Sequence, residues 1–187
     1  MELMQAIMER RSVRKFTDYH VTDDELKELF DAARWAPSWA NTQAWEFVVV
    51  RDRDVIGKVT ATYSEYNPAR KCSMSTSALA VFCAKTGVSG SKGDGEATKF
   101  SNWFMFDCGM AVQNFCLKAH EMGLGTVVVG LMDHDACRKV LGLPEGYEVV
   151  VSVPVGRPVV EGRKGPPRKN LAECTHLDRF GDSFVKA

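Results

Sequence analysis

Apolar residues recur along this chain with a period near 3.6 in some stretches and as short unbroken runs in others. Leu3, Met4, Ile7 and Met8 share one helical face and predict a helix over about 2–10. Val21-Thr22-Asp23-Asp24-Glu25-Leu26 reads as a helix start. Thr22 and Glu25 fit a capping box, and Val21 with Leu26 fits a hydrophobic staple. Leu26, Leu29, Phe30 and Ala33 continue at helical spacing until Pro37 ends the segment. Trp45 to Val50, dense in aromatic and β-branched residues, predicts a strand. A short helix is expected from Asp54 to about Ser64, a loop around Pro68 over 66–73, and a buried strand from Ala78 to Ala84. Gly87 to Gly95 holds four glycines and two serines and reads as a surface loop suited to a mobile lid.

The longest helical stretch runs from Phe100 to Met122. Phe104, Cys108, Ala111, Phe115 and Ala119, with Met105, Val112 and Leu117 beside them, cover most of its circumference. Such a helix is buried by more than one neighbour, either at the centre of the domain or in a dimer interface. Gly123 and Gly125 end it. A buried strand over 126–129 follows, then a helix capped by Asp133 and ended by Gly142, and a strand from Tyr147 to Val155. From Arg157 the chain is rich in Gly, Pro, Lys and Arg, and is expected to run extended over another surface. This order predicts an α+β, three-layer fold with a mixed, mainly antiparallel sheet flanked by helices. No repeat or linker divides the 187 residues, so 1–187 is expected to form one domain.

Lys plus Arg equals Asp plus Glu at 24 each, which gives no general pull toward nucleic acid or membrane. The start of the chain lacks a signal-peptide pattern, and no apolar run is long enough to span a bilayer. Six cysteines without a CxxC pair argue against a metal cage and for buried free thiols in a reducing cytoplasm. The four histidines share no motif with a metal site or a catalytic triad.

Positive charge is instead local. Arg10-Arg11-Ser12-Val13-Arg14 places three guanidinium forks and a hydroxyl within five residues, which suits an anion bearing phosphate-type oxygens. A solvated basic helix end would look the same. The next distinctive string is Ala36-Pro37-Ser38-Trp39-Ala40-Asn41-Thr42-Gln43-Ala44-Trp45, leading into the strand. Together with Gly123-Leu124-Gly125-Thr126, the run from Val127 to Gly130, and Arg168-Lys169-Asn170-Leu171, these segments resemble, in order, the nitroreductase family of FMN-dependent oxidoreductases.

The resemblance implies an intertwined homodimer with two FMN sites at the subunit interface. It assigns Arg10, Ser12, Arg168 and Lys169 to the FMN phosphate, with Arg11 in the same motif. Arg14 is assigned to the N1/O2 edge of the ring, where a cation stabilises the charge of the reduced flavin. Pro37, Ser38, Trp39 and Asn41 would come from the partner subunit, and the amides of Val129 and Gly130 would face flavin N5. Phe100 and Trp103 fall on the substrate side. Trp39 is bulkier than the small residue often found there and is expected to narrow substrate choice; Ala44 stands where the family often has proline. No catalytic side chain is assigned, because N5 carries the hydride and solvent supplies protons. The implied activity is ping-pong reduction of a small-molecule electron acceptor, nitroaromatic or quinone-like, by NADH or NADPH. Reductive dehalogenation or flavin fragmentation on the same fold, and FMN sensing or storage without turnover, remain as alternatives.

Overall fold

The computed structural model describes residues 1–93, 95–160, 162 and 164–185. In chain order the principal elements are α1 (Leu3–Glu9), α2 (Asp23–Arg34), β1 (Trp45–Val50), α3 (Arg53–Ala61), α4 (Arg70–Ser75), β2 (Ala78–Lys85), β3 (Ser91–Lys92), β4 (Gly95–Glu96), α5 (Trp103–Glu121), β5 (Gly125–Thr126), α6 (His134–Leu141) and β6 (Tyr147–Gly156). The start of α2 forms as its sequence dictates. Thr22 Oγ1 accepts from the Glu25 N–H at 3.1 Å, and Glu25 returns a bond to the Thr22 N–H at 2.8 Å. Val21 and Leu26 are both buried beside it, as a staple requires.

The main sheet has the order β1-β2-β6-β5, with every neighbouring pair antiparallel. Alternation along β2 builds the three layers. Ala78, Ala80, Phe82 and Ala84 face the α2 and α5 side, in a core shared with Leu29, Cys108 and Phe115. Leu79, Val81 and Cys83 face the other side, packed with Ile56 and Val59 of α3, Cys72 of α4 and Cys137 of α6. Both faces are covered, which is why β2 reads as an unbroken apolar run. Phe82 and Phe115 meet edge to face at 5.3 Å, and Phe30 sits 5.2 Å from Phe115.

Several expectations are corrected. The segment read as a loop over 66–73 contains helix α4. Its six residues are too few for a helical period to show, but Asn67 Oδ1 accepts from the Ala69 N–H, and Cys72 and Ser73 are buried. The strand expected over 126–129 is interrupted. Thr126 pairs with Val155 and Val129 with Ser152, so Val127 lies opposite Pro154, which has no N–H to give. The glycine-rich lid carries the small hairpin β3–β4. Five cysteines are buried and free as expected, but Cys174 is exposed. Beyond Arg157 the described residues are mostly exposed and hold one short 3-10 turn, Leu171–Glu173. Among the described residues no helix is long and apolar enough to cross a membrane.

Candidate active site

The segment after α1 does not remain a free helix end. It runs beside β5, with Ser12 bridging Thr126 in parallel and the Val13 N–H donating to Thr126 O at 2.8 Å. This contact depends on Gly125, where an added Cβ would fall 2.7 Å from Val13 Cγ2. Val13 thus packs inward, while Ser12 and Arg14 on either side of it are exposed.

A cavity of about 760 Å³ opens along this strand. Its lining includes Arg10, Arg11, Ser12, Arg14, Lys15 and Lys164, together with Cys116, His120 and Thr126. Among the described residues, five side-chain cations face two carboxylates there, Glu9 and Glu121. Glu121 is already engaged with Lys118 at 2.9 Å, and that hydrogen bond holds its carboxyl below the usual range. Burial pushes the Cys116 thiol up, opposed by the Thr126 hydroxyl and the charge of Arg10. Arg10 Nε is buried with no hydrogen-bond partner among the described residues. A buried guanidinium nitrogen in that condition calls for an acceptor, and a phosphate oxygen in this cavity meets the need.

The arginines divide their work. Arg11 Nη1 donates to Met8 O at 2.5 Å and to Arg10 O at 2.8 Å, closing the C-terminal end of α1. Its guanidinium also lies against Gly165, where no Cβ would fit. Arg11 is thus engaged through Nη1 with the helix end, although its Nε, like that of Arg10, is buried without a hydrogen-bond partner among the described residues. Arg168 and Lys169 do not line the cavity. Both are exposed, and Arg168 Nη1 donates to Pro166 O at 2.9 Å. Among the described residues the late cation at the cavity is Lys164, which sequence reasoning passed over although it sits in the same Gly-Pro-Lys-rich run. Lys15 was missed as well, although it directly follows the motif.

The second motif lies elsewhere in the protomer. Trp39–Asn41 forms a 3-10 turn with positive φ at Ala40 (44°) and Asn41 (55°), followed by Gln43 (48°). Ser38 Oγ accepts from the Gln43 N–H at 2.9 Å. The turn packs on the beginning of α5, where the Trp39 and Trp103 rings are 4.9 Å apart. Phe100 and Phe106 flank Trp103 at 6.5 and 5.7 Å. Pro37 and Asn41 are exposed, and Trp39 and Ser38 half-buried.

The cavity, by contrast, touches α5 near its end, at Cys116 and His120. At about 1.5 Å per residue, Trp103 and His120 are about 25 Å apart along the helix axis. The two motifs do not meet within one protomer. Val129 and Gly130 also lie outside the cavity lining. The Val129 N–H is committed to Ser152 O at 2.9 Å, so of the two amides expected to face N5 only that of Gly130 is left for the role.

The nitroreductase family model matches residues 7–78 and 65–157. An Archaeoglobus fulgidus protein named among the NADH dehydrogenase/NAD(P)H nitroreductases is 32% identical over 164 residues, covering 84% of this chain and 86% of that one. The FMN reductase (NADPH) of Bacillus subtilis is 26% identical over 173 residues, covering 86% of this chain and 68% of that one. The crystal structure of nitroreductase A from Vibrio parahaemolyticus superposes with a TM-score of 0.80 at 25% identity, covering 96% of this chain and 76% of that one. The cation-lined cavity and the Trp39 turn are thus set on a shared fold and a shared sequence pattern, and the chain belongs to the nitroreductase family.

Proposed function

We propose that the protein is an FMN-dependent oxidoreductase that takes reducing equivalents from NADH or NADPH and passes them to nitroaromatic or quinone-like acceptors. The observation that carries this reading is the cavity beside β5, with its surplus of cations and the unpartnered Arg10 Nε. In this reading Arg10, Ser12 and Lys164 hold the phosphate, and Arg14, further along the same extended segment, serves the ring edge. When bound, FMN supplies a ring that accepts a hydride and gives it up again. The protein's part is to hold that ring, to place cationic charge beside it, and to leave one face open to nicotinamide and acceptor in turn.

The site is completed by a second copy of the chain. A two-fold axis crossing α5 near its middle would lay the two α5 helices antiparallel, bringing the beginning of one to the end of the other. The cavity of one subunit would then meet the Ser38–Asn41 turn of its partner. The exposed face of α5, with Met105 at 50% and Phe106 at 61% exposure, and the exposed Leu3, Met4, Ile7 and Met8 of α1 supply apolar surface for such a contact.

The test is direct. Purified protein given FMN should bind it, bleach under anaerobic NADH or NADPH, and regain its yellow colour on addition of a nitroaromatic or a quinone. Failure to bind FMN sinks the cofactor assignment, and tight binding without bleaching sinks the reductase reading.

A further inference from the structure

Asp107 is 1% exposed on α5, yet among the described residues no salt bridge reaches it. A buried carboxylate is costly unless its oxygens are satisfied by donors. Here each oxygen serves a different segment. Oδ1 accepts from the Trp39 N–H at 3.0 Å, and Oδ2 accepts from Ser89 Oγ at 2.6 Å. The first bond holds the turn whose positive-φ residues, Ala40 and Asn41, would relax without it. The second holds the base of the glycine-rich segment.

Trp103, one helical turn before Asp107 on the same face, holds the same two segments through its ring. It packs against Trp39, and its Nε1 donates to Thr98 Oγ1 at 2.7 Å. Gly90, next to Ser89, lies so close under the indole that an added Cβ would overlap it. The Ala97 N–H donates to Gly90 O at 2.8 Å and closes the base of the hairpin. The segment read from sequence as a mobile lid is therefore fastened at both roots to α5. Its fastening also fixes Trp39.

We propose that Asp107 is a positioning residue for acceptor choice: by tying the Trp39 turn to the base of the 87–98 segment, it fixes the Trp39–Trp103 ring pair as an aromatic wall that favours flat acceptors. This rests on the oxidoreductase reading and on the proposed subunit pairing for its functional consequence, but on neither for its structural content. The Phe100 ring extends the wall, so a flat ring system finds stacking surface where a compact ionic acceptor finds none.

The experiment compares the wild-type holoprotein with Asp107→Asn, Asp107→Ala and Ser89→Ala. Near-UV circular dichroism reads the coupled indoles, and steady-state kinetics compares a naphthoquinone with ferricyanide. Asp107→Asn keeps an acceptor for the Trp39 N–H and an amide toward Ser89, so its spectrum and KM values should stay near wild type. Asp107→Ala should alter the near-UV spectrum and raise the quinone KM by about one to two decades, the scale of a lost hydrogen bond to a charged group, with a much smaller change for ferricyanide. A folded Asp107→Ala with an unchanged spectrum and unchanged quinone preference overturns the proposal. If that variant does not fold, Ser89→Ala, which removes one arm only, decides by the same two readouts. If the wild-type protein passes no electrons to the quinone, the oxidoreductase reading fails, while the near-UV comparison still decides whether Asp107 fixes the ring pair.

Discussion

Replacing Gly125 with alanine should disturb the Arg10–Arg14 segment, proposed to bind FMN, from behind. An ideal Cβ at this position lies 2.7 Å from Val13 Cγ2, 2.8 Å from its Cβ and 3.0 Å from its Cγ1. Carbon atoms in contact settle at about 3.5–4.0 Å, so the Arg10–Arg14 strand must retreat by about 1 Å. The Val13 N–H to Thr126 O bond, now 2.8 Å, cannot survive that retreat intact. Overpacking of this kind costs about 1–3 kcal/mol. Loss of glycine's freedom in the unfolded chain returns about 0.4–1 kcal/mol, so mid-range values leave a net loss of about 1.3 kcal/mol. For a chain of this length the melting temperature should fall by about 3–5 °C. FMN affinity should fall by about tenfold or more, because Ser12 and Arg14 move with the strand. Val13→Ala removes two of the three clashing atoms, so the double variant should recover part of both losses, with a coupling of about 0.5–3 kcal/mol. Thermal denaturation and FMN fluorescence titration of the four proteins make the test. A Gly125→Ala protein that melts and binds FMN like wild type would refute the packing argument.

Four further outcomes follow from other parts of the fold. Gly57 lies inside α3 with only Met74 Cε at 3.9 Å from an added Cβ, so Gly57→Ala should stabilise the protein by about 0.5–1 kcal/mol, seen as a raised melting temperature. Burial raises the thiols of Cys83 and Cys108 to about 12 and that of Cys137 to about 11. Above about pH 9 the unfolded chain loses these protons while the folded one keeps them, so urea stability should fall from about pH 9 toward 12, by up to about 1.4 kcal/mol per pH unit for each thiol. A thiol reagent at pH 8 should label Cys174 alone in the folded protein, and quick labelling of the other five would contradict their burial. Gly109 of α5 has open space around it in the protomer, so Gly109→Arg should leave the fold intact but split the proposed α5–α5 pairing, giving a monomer in sedimentation; a dimer of unchanged size would place the interface elsewhere.

The sequence made some parts of this fold plain and hid others for identifiable reasons. The α2 start was legible because capping box and staple are local chemistry. The buried β2 run was legible because both of its faces are covered. Helix α4 was not, since six residues carry too short a period. The break at Val127 was hidden because its cause, Pro154, lies in another strand. At the site, the Arg10–Arg14 motif was visible, but its division of labour was not: Arg11 turns back to the α1 carbonyls, a choice set by geometry. Lys164 lines the protomer's cavity and Arg168 and Lys169 do not, a path of the tail that its composition does not encode. Asp107 gave no signal at all, since a lone acidic residue in an apolar helix looks like any polar interruption until its two partners, 68 and 18 residues away, are seen.

Each FMN site is proposed to combine the Arg10–Arg14 segment of one subunit with the Ser38–Asn41 turn of the other. Arg14→Ala and Asn41→Ala proteins, carrying different tags, can be co-expressed and the doubly tagged dimers isolated. In such a dimer one site carries both substitutions and the other carries neither. The composite site predicts recovery to about half of wild-type FMN binding and NAD(P)H-driven quinone reduction per dimer, although each parent homodimer is impaired at both sites. Doubly tagged dimers no more active than their parents would contradict it, and would put the whole site within one subunit.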